Sequence, residues 1–313
     1  MKILFIYLLS LFFILVHFTA CDQDDTMETA KDSSSELVIQ TGLNPLAKSL
    51  KSISVSQFTD GNRLGLFITK GNLGEDYSSD VSSNILSTLT EGLWLQTPAV
   101  NLYTHNAVVY AYYPYSSGNA NGMEIPVQSG VTDYMYGTHT PGQAAVNKDN
   151  KVVNLTMNHA CALVQFNMYK ANYPWQGRLE LVTVKNAPEK SIVYYSGKLD
   201  IQTGEISGLS GADRNILRNG SPIMVIPDTK SDDESSFVKF LLIPTQRTSS
   251  AAEVVVSFHI DGKDYTWEVP AGTEWKQGTK NTYDVLLSGN ELRIGDVRIT
   301  AWEEGTNGNV VLE

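Results

Sequence analysis

The stretch His-Ala-Cys-Ala-Leu-Val-Gln-Phe-Asn-Met, residues 159–168, decides the fold. Every second residue from position 160 onward is apolar. Because successive side chains of a strand point to opposite faces, one face of this stretch is fully apolar. That face carries Ala160, Ala162, Val164, Phe166 and Met168. The pattern predicts a buried β-strand in which Cys161 is a small buried residue rather than a reactive thiol.

Short apolar segments of the same kind continue on both sides of this strand. They are rich in β-branched and aromatic residues and are bounded by glycine, asparagine, aspartate or proline, as is typical of strands separated by turns. The segments are residues 37–40, 64–68, 107–113, 152–155, 179–184, 237–243, 253–260 and 297–300. Asp261-Gly262 directly after one of them is a hairpin turn signal. Such a series of short strands predicts an all-β chain built from β-sandwiches.

One segment departs from the alternation. Val81, Ile85, Leu86 and Leu89 recur at helical spacing, which predicts one short helix within residues 79–89.

The length of the chain, 313 residues, predicts two sandwiches. Residues 172–177 are polar, contain proline and glycine, and lie between two strong strands, so they are the expected joint. We therefore expect an N-terminal β-sandwich over residues 36–173 and a C-terminal β-sandwich over residues 174–313.

The first twenty residues are typical of a signal peptide. Lys2 supplies a positive start, and residues 3–18 form an almost continuous apolar run that is short for a membrane span. Small residues then precede Cys21, which resembles the lipobox of bacterial lipoproteins, with Phe18 where leucine is usual. In that motif the peptide is cut before the cysteine and the thiol is acylated. This predicts a lipoprotein signal peptide over residues 1–20 and lipidation at Cys21. Ordinary secretion with an incidental cysteine is the alternative.

Residues 21–35 are predicted to form an acidic flexible tether. They contain five acidic residues and a serine run at 33–35, and no apolar residue repeats among them. An acidic stretch after the lipidated cysteine also resembles the surface-export signal of Bacteroides-type lipoproteins. That resemblance implies an outer-membrane lipoprotein exposed at the cell surface.

The charge balance argues against nucleic acid as a partner. The chain has 23 Lys and Arg against 34 Asp and Glu, a formal net charge of −11. Phosphate backbones need a basic footprint, which this composition does not supply. The two cysteines allow one disulfide at most, and acylation of Cys21 would leave Cys161 without a partner.

No familiar catalytic or metal-binding motif occurs in the sequence. It lacks HExxH, paired CxxC, a Walker loop, GxSxG and the Rossmann glycine pattern. The four histidines beyond the signal peptide lie far apart in sequence, at His105, His139, His159 and His259. We therefore predict no catalytic residue, no metal and no cofactor; a weak surface Ca²⁺ site in an acidic loop stays an alternative, although no Asp-x-Asp-x-Asp-Gly loop occurs. The separation of two carboxylates depends on the fold, so a lipid-anchored hydrolase with convergent acids in a cleft stays an alternative.

Three tryptophans are candidates for a sugar-binding platform: Trp175, Trp267 and Trp275. Buried aromatic positions of a sandwich are the more common role for such residues. The second alternative function is therefore a surface glycan-binding lipoprotein of a polysaccharide-uptake system, which predicts an exposed aromatic pair.

Several segments, in a shared order, resemble the fimbrillin-like lipoproteins of Bacteroides-type bacteria, the type V pilus subunits. They are FTDGNRLGLF at 58–67, YAYYPY at 110–115, DYMYG at 133–137, MNHACALV at 157–164, WKQGTKNTY at 275–283 and ITAW at 299–302. Together they extend the resemblance over residues 36–312, nearly all of the chain beyond the signal peptide.

The resemblance implies two tandem transthyretin-like β-sandwich domains that assemble by donor-strand exchange. In that mode a strand from a neighbouring subunit completes a sandwich. In the family, a trypsin-like protease cuts after a basic residue in the first loop and releases the first strand. The exchanged first strand would here be Leu37, Val38, Ile39, Gln40 and Thr41. The usual arginine is absent from the loop, so the candidate cleavage sites are Lys48 and Lys51, with Arg63 further on.

The function that the resemblance implies is a structural, non-enzymatic subunit of a type V fimbria that serves cell adhesion. Its partners would be other fimbrial subunits through strand exchange, the outer membrane through the lipid on Cys21, and a ligand on host or bacterial surfaces. The apolar residues 310–312 are too short for a long donor strand. The chain is therefore expected to accept a strand rather than donate one, which favours a tip or accessory position.

Overall fold

The computed structural model describes residues 35–43, 57–80, 83–289 and 291–301. Within these ranges the chain is all-β, with eighteen strands and single turns of 3-10 helix at Gly122–Glu124 and Glu234–Ser236. The strands are β1 Val38–Leu43, β2 Arg63–Thr69, β3 Ile85–Thr90, β4 Leu93–Thr97, β5 Val108–Tyr113, β6 Ile125–Gln128, β7 Met135–His139, β8 Val152–His159, β9 Ala162–Ala171, β10 Arg178–Asn186, β11 Ser196–Leu199, β12 Ile206–Ser210, β13 Ile216–Val225, β14 Val238–Leu242, β15 Val254–Ile260, β16 Lys263–Glu268, β17 Thr279–Ser288 and β18 Glu291–Ala301. The described residues include no helix long and apolar enough to cross a membrane. The prediction of an all-β fold is confirmed.

The described strands pair into four sheets. The largest has seven strands in the order β1-β8-β7-β5-β2-β3-β4. Two four-stranded sheets, β13-β10-β15-β16 and β14-β9-β17-β18, share one core, and a three-stranded sheet has the order β12-β11-β6. Neighbours among the named strands are antiparallel except for two parallel pairs, β1 with β8 and β17 with β9.

Strand β9 lies in the largest core, as its alternating pattern predicts. The ring of Phe166 makes edge-on contacts with Phe240 of β14 and Phe258 of β15, at centroid distances of 6.4 and 5.2 Å. The strand begins at Ala162 rather than at residue 159, because residues 160 and 161 make the bend between β8 and β9. Cys161 is fully buried in this bend, and burial raises the pKa of its thiol, which fits a packing role.

Strands from both sides of residue 174 share sheets. β6 precedes this residue and pairs with β11, with Pro126 beside Lys198. β9 also precedes it and pairs with β14 and β17. The proposed division into residues 36–173 and 174–313 stays a prediction.

The predicted helix within residues 79–89 is wrong where the structure describes it. Residues 85–90 form β3, which pairs with β2 and β4. Ile85 and Leu89 both face the core, because residues four apart share a face in a strand as well as in a helix. The buried residue between them is the polar Ser87, so the apolar alternation that marks a strand is interrupted.

The predicted hairpin at Asp261-Gly262 is confirmed. Both residues have positive φ, 47° and 75°, as the tight turn between β15 and β16 requires. The Asp261 carboxylate accepts hydrogen bonds from the backbone nitrogens of Gly177 and Arg178 at 2.7 and 3.0 Å. The turn is thereby attached to the start of β10.

Candidate assembly site

Strand β1, Val38–Leu43, overlaps the segment predicted as the exchanged first strand, Leu37 to Thr41, and lies at the edge of the largest sheet. β1 pairs with β8 in parallel, from Val38 beside Val152 to Leu43 beside Met157. Because β1 is an edge strand of this sheet, the pairing of the other six strands does not depend on it. An edge strand of this kind is the element that an exchange reaction could replace.

The side chains of this segment alternate between core and solvent. Leu37 and Ile39 are 3% and 4% exposed and belong to the core beneath the seven-stranded sheet, whereas Val38 is 37% exposed. Each fully buried large side chain contributes on the order of 1.5–3 kcal/mol. The two buried side chains, Leu37 and Ile39, therefore fix β1 and the residue before it to the core.

Polar contacts also hold the segment 35–43, at its start and in its middle. The Leu37 backbone nitrogen donates to the Val100 carbonyl at 2.8 Å, and the Leu102 nitrogen donates to the Ser35 carbonyl at 2.9 Å. Nε1 of Trp94 in β4 donates to Oγ1 of Thr41 at 3.1 Å. The first strand is therefore held by β8 on one side and by residues 94–102 on the other.

Removal of residues 35–43 would open a groove with two unpaired backbone edges. One edge is β8, and the other is the segment 100–102. The floor would be apolar, since Val100, Leu102, Val153 and Leu155 belong to the same core as Leu37 and Ile39. Unpaired backbone groups beside an apolar floor favour the binding of an extended strand.

Three of the predicted site residues, Cys21, Lys48 and Lys51, lie outside the described residues. So do the signal peptide and nearly all of the tether, residues 21–34. The described residues end with β1 at residue 43 and resume at residue 57, so both lysines belong to the connection between β1 and β2. Arg63 is the first residue of β2 and pairs with Thr88, so it belongs to the seven-stranded sheet and not to the connection that precedes it.

The histidines are dispersed over the fold. Among the described residues, no group of three or more His, Cys, Asp and Glu side chains is placed to hold a metal ion. His159 is buried with its Nδ1 2.9 Å from Oδ1 of Asp133, and His259 lies 2.7 Å from Asp264. Nε2 of His139 accepts from the Val109 backbone nitrogen, and burial lowers the pKa of this imidazole. These contacts are structural.

The three tryptophans do not form a common platform. Trp275 is buried and donates from Nε1 to the hydroxyl of Tyr283 at 2.9 Å, and burial raises the pKa of that tyrosine to about 12. Trp267 packs on the same tyrosine at 4.8 Å between ring centroids. Trp175 is exposed, and the amino group of Lys263 lies 3.6 Å from its ring centre.

An exposed aromatic pair occurs elsewhere, in the loop between β4 and β5. The rings of Tyr103 and His105 have planes 1° apart and centroids 5.9 Å apart. The buried Tyr77 holds both, because its hydroxyl accepts from the Tyr103 nitrogen and donates to the His105 carbonyl. The Tyr103 hydroxyl donates to Oδ2 of Asp80 at 2.5 Å, and this bond raises the pKa of Tyr103. Sequence reasoning missed the pair because Tyr77 lies 26 residues away; aromatic residues at alternate positions of a polar loop were the available signal.

Comparison with solved structures finds the same architecture. A putative cell adhesion protein from Bacteroides uniformis matches with a TM-score of 0.61 and 15% identity, over 87% of this chain and 100% of that one. One from Bacteroides ovatus matches with a TM-score of 0.60 and 15% identity, over 85% and 97%. A fimbrial protein from Bacteroides vulgatus matches with a TM-score of 0.51 and 13% identity, over 85% and 99%. At these identities the similarity shows a shared fold.

The sequence comparison is more specific. No curated protein sequence matches the chain. The family model described as Fimbrillin-like matches residues 52–302, which is most of the chain, and the resemblance inferred from the short segments is confirmed. The chain therefore belongs to the fimbrillin-like family, a family of fimbrial structural subunits and not of enzymes.

Proposed function

We propose that the chain is a cell-surface fimbrial subunit that accepts a donor strand in place of β1. The observation that carries the proposal is the position of β1. It is an edge strand, it pairs in parallel with β8, and Ile39 within it and Leu37 directly before it are buried in the core. Membership of a fimbrial family supports assembly with other fimbrial subunits.

Cleavage in the connection between β1 and β2 is the proposed trigger. Lys48 and Lys51 lie in this connection, so a cut after either would separate β1 from the rest of the fold. The released piece would also carry Cys21, the proposed site of outer-membrane attachment. The uncut chain is then a closed, anchored monomer, and the cut chain is an open acceptor in a tip or accessory position.

Limited trypsin digestion of the folded protein tests this proposal. We expect early cleavage after Lys48 or Lys51, followed by loss of β1 and growth of oligomers in light scattering. The double variant Lys48→Ala with Lys51→Ala should stay uncut in this connection and monomeric under the same conditions. Resistance of both lysines, or a cut chain that stays monomeric with an unchanged melting temperature, would rule out strand exchange here.

A second candidate function is glycan binding, and one observation favours it. Tyr103 and His105 present parallel, exposed rings beside the carboxylate of Asp80. Sugar rings stack on aromatic faces, and carboxylates accept hydrogen bonds from their hydroxyls. On an array of neutral oligosaccharides we expect binding that Tyr103→Ala removes and that Trp175→Ala, at another exposed ring, leaves unchanged. An array without signal for the unmodified protein would exclude this function.

A further inference from the structure

The last described strand, β18, leaves inward-facing side chains uncovered. Ile294, Val297 and Ile299 lie beside Val285, Tyr283 and Asn281 of β17, whose side chains face the core. Val297 and Ile299 are nevertheless 42% and 60% exposed.

The cause lies in the opposing sheet. That sheet has the order β13-β10-β15-β16 and ends at β16, while β18 is the edge of its own sheet. Within the described residues, no further strand lies beside β16 to cover the end of β18. As far as the described residues go, the sandwich is therefore one strand short on this side.

A cavity of about 540 Å³ occupies the uncovered region. Trp267 of β16 and residues 270–274 line one side, and Ile294, Val297 and Ile299 line the other. A volume of this size, with mainly apolar walls and a few polar groups, is typical of binding sites.

A buried amide at the wall of this cavity has an acceptor without a partner among the described residues. Asn281 lines the cavity, is fully buried, and donates from Nδ2 to the Leu163 carbonyl and to Oγ1 of Thr279. Its Oδ1 has no hydrogen-bond partner among the described residues.

The rim of the cavity carries an excess of positive charge. Arg247 and Lys276 both contact Oε2 of Glu274, at 3.3 and 3.7 Å. Two cations thus share one carboxylate. Their side chains are 67% and 61% exposed, so they remain accessible to an anionic group.

We propose that this cavity binds an extended segment of a partner protein, with apolar side chains at alternate positions and acidic residues at one end. The two-residue spacing of Val297 and Ile299 matches a strand, whose side chains alternate in the same way. The acidic end of the segment would meet Arg247 and Lys276. Neither β16 nor β18 has a further partner strand among the described residues, so their edges supply backbone groups for strand addition.

This site is separate from the groove of β1. It lies between other sheets, it is uncovered by the described residues, and it needs no proteolysis. A failure of strand exchange at β1 would therefore leave this proposal intact, provided that the test uses the uncut protein.

The test is fluorescence anisotropy with the uncut protein and a labelled peptide, Glu-Asp-Val-Thr-Val-Thr-Ile-Thr. A peptide of the same composition with its apolar residues adjacent to one another serves as the matched probe. We expect the alternating peptide to bind at least tenfold more tightly. Equal affinity of the two peptides, or no binding of either, would overturn the proposal.

Variants locate the binding. Ile299→Asp should weaken it at least tenfold, while Leu217→Asp, at a 50% exposed position on β13, should leave it unchanged. Lys276→Glu should weaken binding of the acidic probe and strengthen binding of a probe that begins with Lys-Lys. A purely structural role of Lys276 would not reverse the charge preference. Melting curves verify that each variant is folded.

Two further outcomes would replace the partner with another occupant. If a chain ending at Ala301 binds the probe tenfold more tightly than the full chain, the C-terminal residues of the same chain occupy the cavity. If the protein forms concentration-dependent dimers that Ile299→Asp dissociates, a second copy occupies it. Either result would overturn the proposal of a separate partner.

Discussion

Glu253 illustrates how one side chain links the fold to pH. It lies just before β15, is 4% exposed, and has its Oε1 2.9 Å from the amino group of Lys190. The backbone nitrogen and hydroxyl of Ser249 both donate to it at 2.7 Å. Lys190 and these hydrogen bonds lower the pKa of Glu253 to about 2.

The lowered pKa predicts a loss of stability in acid. In the unfolded chain the carboxyl titrates near its ordinary value of 4.5. Its contribution is therefore present above that pH and is lost as the pH falls toward about 2. The difference in melting temperature between the unmodified protein and Glu253→Gln should shrink from pH 5 to pH 2. For Glu268→Gln, at an exposed position, it should stay constant; a constant difference for Glu253→Gln would contradict the prediction.

At the scale of single residues, the sequence predicts the burial or the turn conformation of those that follow a local pattern. The inward positions of β9 follow from alternation, and the Asp261-Gly262 turn follows from two residue types. The unpaired acceptor of Asn281 could not be predicted, and the alternate spacing of Tyr103 and His105 does not show that Tyr77 holds both residues. Each depends on which distant segments meet, and alternation carries no information on that.

Among the elements, β1 offers the sharpest comparison, because neighbouring residues have opposite environments. Ile39→Ala removes buried methyl groups, and such a change costs about 2–5 kcal/mol in unfolding free energy. Val38→Ala, at a 37% exposed position, should cost less than about 1 kcal/mol. Urea denaturation of the uncut protein measures both. Equal effects would mean that β1 is not seated in the core.

The elements also mark where sequence patterns fail. The interval of four residues between Ile85 and Leu89 fits a helix and a strand equally, and the buried Ser87 hides the strand pattern. The parallel pairing of β1 with β8 is equally invisible in the sequence, since 110 or more residues separate the partners. The existence of β1 was predictable, but its neighbour was not.

For the whole molecule, the all-β class and the family follow from repeated short strands and ordered motifs. The sheet order does not, because β6 and β9 pair with strands from beyond residue 174. Such pairings are set by the packing of distant surfaces, which a single sequence does not show. The domain boundary proposed at the polar, proline-containing stretch near residue 174 therefore stays a prediction. A local sequence pattern of this kind does not show which strands share a core.

Anchoring at the membrane is a property of the whole molecule and depends on one proposed residue. Cys21→Ala removes the thiol that would carry the lipid. We expect the variant to appear in the periplasm or the medium, while Cys161→Ala stays in the outer-membrane fraction. Cell fractionation with immunodetection measures this. Retention of the Cys21 variant in the outer membrane would contradict lipid anchoring at this position.

The parallel pairing of β1 with β8 gives the proposed assembly a polarity. A strand that replaces β1 in the same register must run from the Val152 end of the groove toward the Met157 end. The body of each donor would then sit at the same end of each acceptor, so that all subunits point one way. The two ends of such a filament would therefore differ in structure. A subunit that accepts a strand but donates none can only terminate it at one of these ends, as a cap.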